Sequence, residues 1–305
     1  MSFSNDVKRE IIENKPFRLR LKKEQAYGLF LYARSFTSRS VVYRTESAEI
    51  VELYAWFLQN LAGKRARIEV SERTVRSKLL YEVRLPDKQD RDKLLASLGH
   101  TDEVVNRSLL ETPEQRQVFL SGAWLACGNI TDPQKSYHME FVCRTPELCG
   151  LLREVLDSCI PGARHTTRRG LDILYFKECA SIEDLLTLMG ASKSSLAMIE
   201  VEIIKNVRNQ ANRATNCETA NIDKLVSASS AQTEDIRLIL RTKGADWLPE
   251  NLRQLAYLRL ENPELSLREL AELSPAPISR SGVHHRLEKL SRLAQTLRGA
   301  QGGES

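Results

Sequence analysis

Basic residues gather near the end of the chain at a density that suits phosphate binding. The segment from Arg280 to Arg298 contains five arginine or lysine residues and a single acid, Glu288. The whole chain has 45 basic and 40 acidic residues, a net charge of +5. Positive charge concentrated on one short segment favours an electrostatic contact with nucleic acid, whereas the small overall excess says little about partners.

The elements around this segment have the order of a helix-turn-helix. A helix is predicted over Pro249–Leu260, and the capping box Ser266-Leu267-Arg268-Glu269 starts a short helix that ends at Leu273. A turn over 274–278 then precedes a basic helix from Ser279 to about Leu297. The turn holds two prolines and is longer than usual, and a generic three-helix bundle with a solvated basic face would show a similar pattern.

The first turns of the basic helix hold the side chains expected to reach DNA. A recognition helix enters the major groove with its N-terminal end, where an arginine such as Arg280 can bind two acceptor atoms of guanine. Lys289 and Arg292 lie further along, where phosphate is the expected contact. His284 and His285 are not expected to form a catalytic or metal-binding pair, because adjacent helical positions point to different faces. The predicted DNA-binding residues are Ser279, Arg280, Ser281, His284, His285, Arg286, Lys289 and Arg292.

A second stretch with DNA-binding chemistry precedes this domain. A long helical segment is predicted over 195–213, and from Lys205 onward it carries basic residues and asparagines without an acid. Such side chains can contact phosphates and base edges, although a polar linker between domains has the same composition. The residues concerned are Lys205, Arg208, Asn209, Asn212 and Arg213. The run Asn216–Asn221 predicts a break in the helix before the last domain.

The first 190 residues contain one order of elements twice. Gly28 and Gly122, Thr45 and Thr145, and Gly99 and Gly190 recur at an offset of roughly 90 to 100 residues. Capping signals predict helices over Lys88–Leu98 and Pro146–Cys159, with short strands such as Ala66–Val70 between the helices. The predicted fold class is α+β, with a duplicated α-β-β-α-β-β-α domain packed as a pseudo-dimer and followed by an all-α helix-turn-helix domain. The predicted limits are 1–190 for the duplicated domain (repeats about 20–100 and 112–190), 191–217 for a helical linker, 218–298 for the DNA-binding domain and 299–305 for a tail.

The stretch Phe119–Gly128 resembles the LAGLIDADG motif of homing endonucleases, and Ala26–Arg34 resembles a weaker copy. The resemblance implies two closely packed helices, each ending in an acid that holds the catalytic Mg²⁺. The matching positions here are Ala33 and Cys127, so no catalytic residue and no nuclease activity are expected. The predicted hairpins also carry basic residues. These residues are compatible with a sheet that faces DNA and with a face that is simply solvated. They are Lys64, Arg65, Arg67, Arg73, Arg76, Lys78, Arg164, Arg168 and Arg169.

Cysteine usage and hydropathy exclude several classes of protein. The six cysteines are expected to be reduced thiols because no secretory signal precedes them. They contain no C-x-x-C pair, so no metal site and no cofactor are expected. The charged N-terminus does not have the form of a secretory signal, and no apolar run is long enough to cross a bilayer. A cytoplasmic, nucleoid-associated protein that has no membrane partner is expected.

The degenerate motif, the run 205–221 and the segment 278–287 together resemble the WhiA family of bacterial DNA-binding regulators. This resemblance implies a transcription regulator of cell division, chromosome segregation and, in spore-forming lineages, sporulation. The expected partner is double-stranded promoter DNA, and RNA polymerase or a second transcription regulator could dock as well. A metal-dependent endonuclease with a non-standard active site is the alternative.

Overall fold

The computed structural model describes residues 2–14, 21–75 and 77–301. The chain divides into two compact units, one ending at Lys205 and the other beginning at Asn206. Each unit has its own hydrophobic core. Among the predicted residues, Arg76 and positions 302–305 lie outside the described ranges.

The first unit repeats one order of helices and strands, which confirms the predicted α+β fold class. Helix α1 (Phe3–Glu13) precedes both repeats and was not predicted. The first repeat contains α2 (Lys22–Leu31), β1 (Ser35–Phe36), β2 (Val41–Thr45), α3 (Ala48–Leu61), β3 (Glu69–Val75), β4 (Lys78–Arg84) and α4 (Lys88–Leu98). The second contains α5 (Pro113–Cys127), β5 (Gly128–Ile130), β6 (Met139–Cys143), α6 (Pro146–Cys159), β7 (Arg164–Arg168), β8 (Leu171–Phe176) and α7 (Cys179–Leu188).

Two four-stranded antiparallel sheets have matching strand orders, β1-β2-β4-β3 and β5-β6-β8-β7. Because side chains alternate along a strand, Tyr43 and Val83 face the core in the first sheet, and Phe141 and Leu174 face it in the second. The strand predicted over Ala66–Val70 lies instead at Glu69–Val75, because the pairing with β4 sets its limits.

The helices α2 and α5 of the two repeats pack in direct backbone contact. A Cβ atom on Gly28 would lie 2.1 Å from the carbonyl oxygen of Phe119, and one on Gly122 would lie 2.0 Å from the carbonyl oxygen of Gln25. Only glycine can occupy both positions at this separation. Gln25 also donates a 3.0 Å hydrogen bond from Nε2 to Ser121 Oγ across the helix pair. These contacts pack the two repeats against each other at the LAGLIDADG-like helices.

The helix α8 (Ser192–Lys243) begins in the first unit and ends in the second. The predicted break at Asn216–Asn221 is wrong, since the helix is continuous there. The run contains neither glycine nor proline, and asparagine and threonine lower helix propensity without interrupting the backbone hydrogen bonds.

The second unit adds three helices to the end of α8, in the predicted order. They are α9 (Glu250–Glu261), α10 (Leu267–Glu272) and α11 (Arg280–Gln301), so part of the predicted tail is helical. Val283, Leu287 and Leu290 of α11 are buried, as the sequence pattern predicts. Ile236 and Ile239 of α8 complete this core, which the sequence analysis did not anticipate.

Candidate nucleic-acid interface

Serine side chains set the starts of the two helices of the helix-turn-helix. Ser266 and Glu269 form the predicted capping box of α10, with each side chain accepting a hydrogen bond from the other residue's backbone. Before α11, Ser279 Oγ accepts a 3.2 Å hydrogen bond from the backbone N–H of Gly282. The hydroxyl of Ser279 therefore has a capping role in this structure. The sequence predicts a DNA contact for this same hydroxyl.

The exposed residues of α11 do not all share one face. At 3.6 residues per turn, Ser281, His285 and Arg292 lie opposite the row of buried apolar residues, and all three are exposed. Arg286 projects from a flank close to that buried row and is partly buried. The structure therefore brings Ser281, His285 and Arg292 together on the outward face and separates Arg286 from them.

The carboxylate of Glu288 partly neutralises the positive charge of this outward face. Arg292 Nη2 lies 2.6 Å from Glu288 Oε1, and His285 Nδ1 lies 3.8 Å from the other carboxylate oxygen. The hydrogen bond and charge of Arg292 lower the pKa of Glu288, so this carboxylate is ionised at neutral pH. Lys289 is exposed and makes no ion pair within the described residues, which leaves its charge available.

Arg280 and His284 occupy a different setting from the outward face. Both are exposed, and both line a cavity together with residues of α8 and α10. The sequence predicted that Arg280 reads base edges, but it could not show which neighbours surround the side chain.

The residues of α8 that are predicted to contact DNA differ in whether their side chains are already bound within the protein. Lys205 Nζ donates a 2.6 Å hydrogen bond to the carbonyl of Pro133 and lies 4.7 Å from the centroid of the Tyr137 ring. Arg213 Nε donates to the carbonyl of Asn209 within the same helix. Arg208, Asn209, Asn212 and Arg213 are all exposed. Lys205 is thus held within its own unit, whereas the other four side chains face solvent.

The LAGLIDADG-like helices end without a carboxylate at either matching position. Ala33 follows α2 and is buried, and Cys127 is the last residue of α5. Burial raises the pKa of the Cys127 thiol to about 12, so the group is neutral at physiological pH. Lys8 of α1 lies near it, with its ammonium 5.6 Å from the centroid of the Trp124 ring. A neutral thiol, a methyl group and a nearby ammonium do not fit a Mg²⁺ site, which requires hard oxygen ligands.

The outer sheet faces carry cations around one buried acid in each sheet. In the first sheet, Glu82 accepts hydrogen bonds from Arg44 and Arg84. Burial opposes ionisation of Glu82, but its two arginine partners outweigh burial and lower the pKa. In the second sheet, Glu140 lies 3.0 Å from Arg168 and 3.1 Å from His138.

The predicted hairpin bases are mostly exposed, and several are paired with acids. Arg67 pairs with Glu69, Lys78 with Glu46, and Arg164 with Glu178. Arg44, Arg84 and Arg144 were missed by the sequence analysis. Strand alternation next to Tyr43 and Val83 was the signal that could have identified the first two. Lys64, Arg65, Arg73 and Arg169 are exposed.

Comparisons with known proteins match both units. The family model of the WhiA LAGLIDADG-like domain matches residues 116–208, and that of the WhiA C-terminal HTH domain matches residues 211–294. The probable cell division protein WhiA of Clostridium botulinum (strain Hall) is 32% identical over 98% of this chain and 99% of its own length. That of Clostridium perfringens (strain SM101) is 33% identical with the same coverage. The chain belongs to the WhiA family.

A solved WhiA structure has the same fold. The crystal structure of full-length DUF199/WhiA from Thermotoga maritima has a TM-score of 0.58 at 22% identity, covering 97% of this chain and 99% of that one. The predicted membership of the WhiA family is confirmed. None of the helices in the described ranges is both long and apolar enough to pass through a bilayer.

Proposed function

We propose that this member of the WhiA family binds double-stranded DNA in a sequence-dependent manner and regulates transcription. The observation that carries the proposal is helix α11, which follows a capped short helix and presents Ser281, His285 and Arg292 on an outward face. A helix with this placement in a helix-turn-helix fits the major groove, where polar side chains contact base edges. Lys289 adds an unpaired charge suited to phosphate.

The first unit has a supporting role in this proposal and no enzymatic one. The positions that match the LAGLIDADG acids hold Ala33 and Cys127, and these residue types favour a non-catalytic role. In that role the domain orients the helix-turn-helix, contributes to DNA binding or docks a protein. Basic residues on and beside the outer sheet faces, including Arg73 and Arg144, are suited to a phosphate contact. The exposed α8 residues Arg208, Asn209, Asn212 and Arg213 would add further contacts, and Lys205 a weaker one.

The names of the relatives support a biological setting. The clostridial proteins are named probable cell division proteins, and we infer that this chain acts in cell division. Regulation of chromosome segregation and sporulation, RNA polymerase or a second regulator as a partner, and a place at the nucleoid extend the same proposal.

Selection of binding sites from a random duplex library with the full chain tests this function. A shared sequence should emerge, and fluorescence anisotropy should show tighter binding to it than to a scrambled duplex. The double variant Ser281→Ala/His285→Ala should lose much of this preference. Lys289→Gln should weaken binding to both duplexes by a similar factor, because phosphate carries no sequence information. Selection of no shared sequence, with equal binding to all duplexes, would contradict the proposal.

A further inference from the structure

A cavity of about 490 Å³ lies in the second unit beside the start of α11. Its lining comes from α8, α9, the start of α10 and the first turns of α11. The charged or polar members relevant here are Lys224, Gln232, Arg259, Arg268, Arg280 and His284. Four of the described residues that line the cavity are arginine or lysine, and none of them is acidic.

Arg259 is a buried cation at this cavity. The residue is 1% exposed, and its Nη1 donates a 2.7 Å hydrogen bond to the carbonyl of Leu265. Its Nε is buried without a hydrogen-bond partner, and the residue makes no ion pair within the described part of the chain. The charge of Glu264 acts on Arg259, but no carboxylate forms an ion pair with the guanidinium within the described residues. Arginine keeps its charge in proteins, and a buried charge without a direct counter-charge is costly. The positive field of Arg259 therefore favours an anion in the cavity next to it.

The remaining side chains can supply donors to such an anion. Lys224 and Arg280 are exposed and make no ion pair within the described ranges, while Arg268 is shared with Glu272 at 3.1 Å. The buried amide oxygen of Gln232 has no hydrogen-bond partner. A half-turn of that amide would place its two N–H donors in the same position.

We propose that this cavity binds a phosphate group, held by Lys224 of α8 and Arg280 of α11 over the fixed charge of Arg259. The proposal deepens the proposed function, on which it rests for the DNA source of the phosphate. Guanidinium and ammonium groups from several elements that line one cavity, with no acid among the lining residues, suit a multiply charged oxyanion. Arg280 is thereby assigned to phosphate, in place of the base-reading role that the sequence predicts.

The phosphate can belong to the DNA backbone or to a free phosphorylated compound. The test compares Lys224→Gln with Lys243→Gln in the full chain. Lys243 is an exposed lysine of the same helix, but it does not line the cavity. Lys224 is exposed as well, so neither change disturbs a core.

The DNA arm measures anisotropy on selected and scrambled duplexes across a salt series. Lys224→Gln and Arg280→Ala should each weaken both duplexes by a similar factor and lower the slope of log affinity against log salt by about one. Lys243→Gln should keep the wild-type slope.

The free-anion arm measures thermal unfolding with inorganic pyrophosphate against chloride at equal ionic strength. Pyrophosphate should raise the unfolding temperature of the wild type and of Lys243→Gln more than that of Lys224→Gln. An effect in the DNA arm alone identifies the backbone as the source, and an effect in this arm alone identifies a free compound. If Lys224→Gln matches Lys243→Gln in both arms, the site is overturned, even where the wild type binds DNA selectively. Failure of the wild type to select any DNA sequence would count against the proposed function, and the pyrophosphate arm would still decide the site.

Discussion

The residues at the positions that match the acids of the LAGLIDADG motif are neutral, and a positive group lies near them. Cys127 carries a neutral thiol because burial raises its pKa to about 12, Ala33 offers no ligand atom, and Lys8 brings an ammonium close to the thiol. A nuclease of this kind needs carboxylates to bind a divalent cation and activate water. These three residues supply none.

The full chain should therefore leave DNA intact in the presence of Mg²⁺ or Mn²⁺. Supercoiled plasmid containing a selected site is the sensitive substrate, since one nick changes its mobility on a gel. Metal-dependent nicking that co-purifies with the chain and disappears when a single acidic residue is changed would show a non-standard active site.

A second residue-scale prediction concerns the capping box of α10. Ser266→Ala removes the acceptor for the backbone N–H of Glu269 and should lower the free energy of unfolding by about 1 kcal/mol. Ser227→Ala, at an exposed position inside α8, should have almost no effect or stabilise slightly, because alanine is the better helix former. Denaturant unfolding of both variants measures the difference. Equal stabilities would mean that the cap does not hold the helix.

At the scale of elements, the contact between α2 and α5 sets how closely the repeats approach. Gly28→Ala would place a methyl group 2.1 Å from a backbone oxygen, so the helices must separate. We expect a loss of about 1 to 3 kcal/mol or more, as in overpacked cores. Gly150→Ala, on an exposed face of α6 with nothing within 4 Å, should be neutral or stabilising. Thermal unfolding of the two variants tests the prediction, and a stable Gly28→Ala protein would contradict the close contact.

Elements with local signals were predicted best. The limits of α4 and α6 match the prediction because Gly99 caps one helix in a left-handed conformation and Thr145-Pro146 starts the other. The strands β1 and β5 are only two and three residues long and have no periodicity to detect. The continuity of α8 was missed because polar residues were interpreted as a break.

The candidate site was predicted in part for a similar reason. Helical periodicity predicts the buried face of α11, and the high density of positive charge predicts that the rest of the helix contacts phosphate. The cavity at Arg280 forms because α8 and α10 pack beside α11. A local sequence pattern does not predict which helices pack together. The burial of Arg259 has the same origin, since an arginine in an amphipathic helix usually faces solvent.

At the scale of the whole molecule, two separate cores predict that the second unit folds alone. A fragment of residues 218–305 contains every buried member of its core, from Ile236 to Leu297. It should unfold cooperatively and bind selected DNA more weakly than the full chain, because Arg208 and Arg213 are absent. Fluorescence anisotropy and circular dichroism measure both properties.

A longer fragment of residues 206–305 is the matched comparison. It regains Arg208 and Arg213 without Lys205, whose ammonium is already bound to Pro133 in the full chain. The longer fragment should therefore recover part of the lost affinity. If residues 1–190 alone showed the sequence preference, the proposed division of labour between the units would be wrong.

The glycine contact is independent of the positions that match the acids of the LAGLIDADG motif. The atoms that set the distance between α2 and α5 belong to Gly28, Gly122 and the backbone of Gln25 and Phe119, and none of them is at a helix end where metal ligands would stand. The side chains of Ala33 and Cys127 therefore take no part in the steric fit of the two glycines. The packing of the two repeats therefore does not depend on any metal-binding chemistry at the helix ends, and the fold holds with alanine and cysteine there.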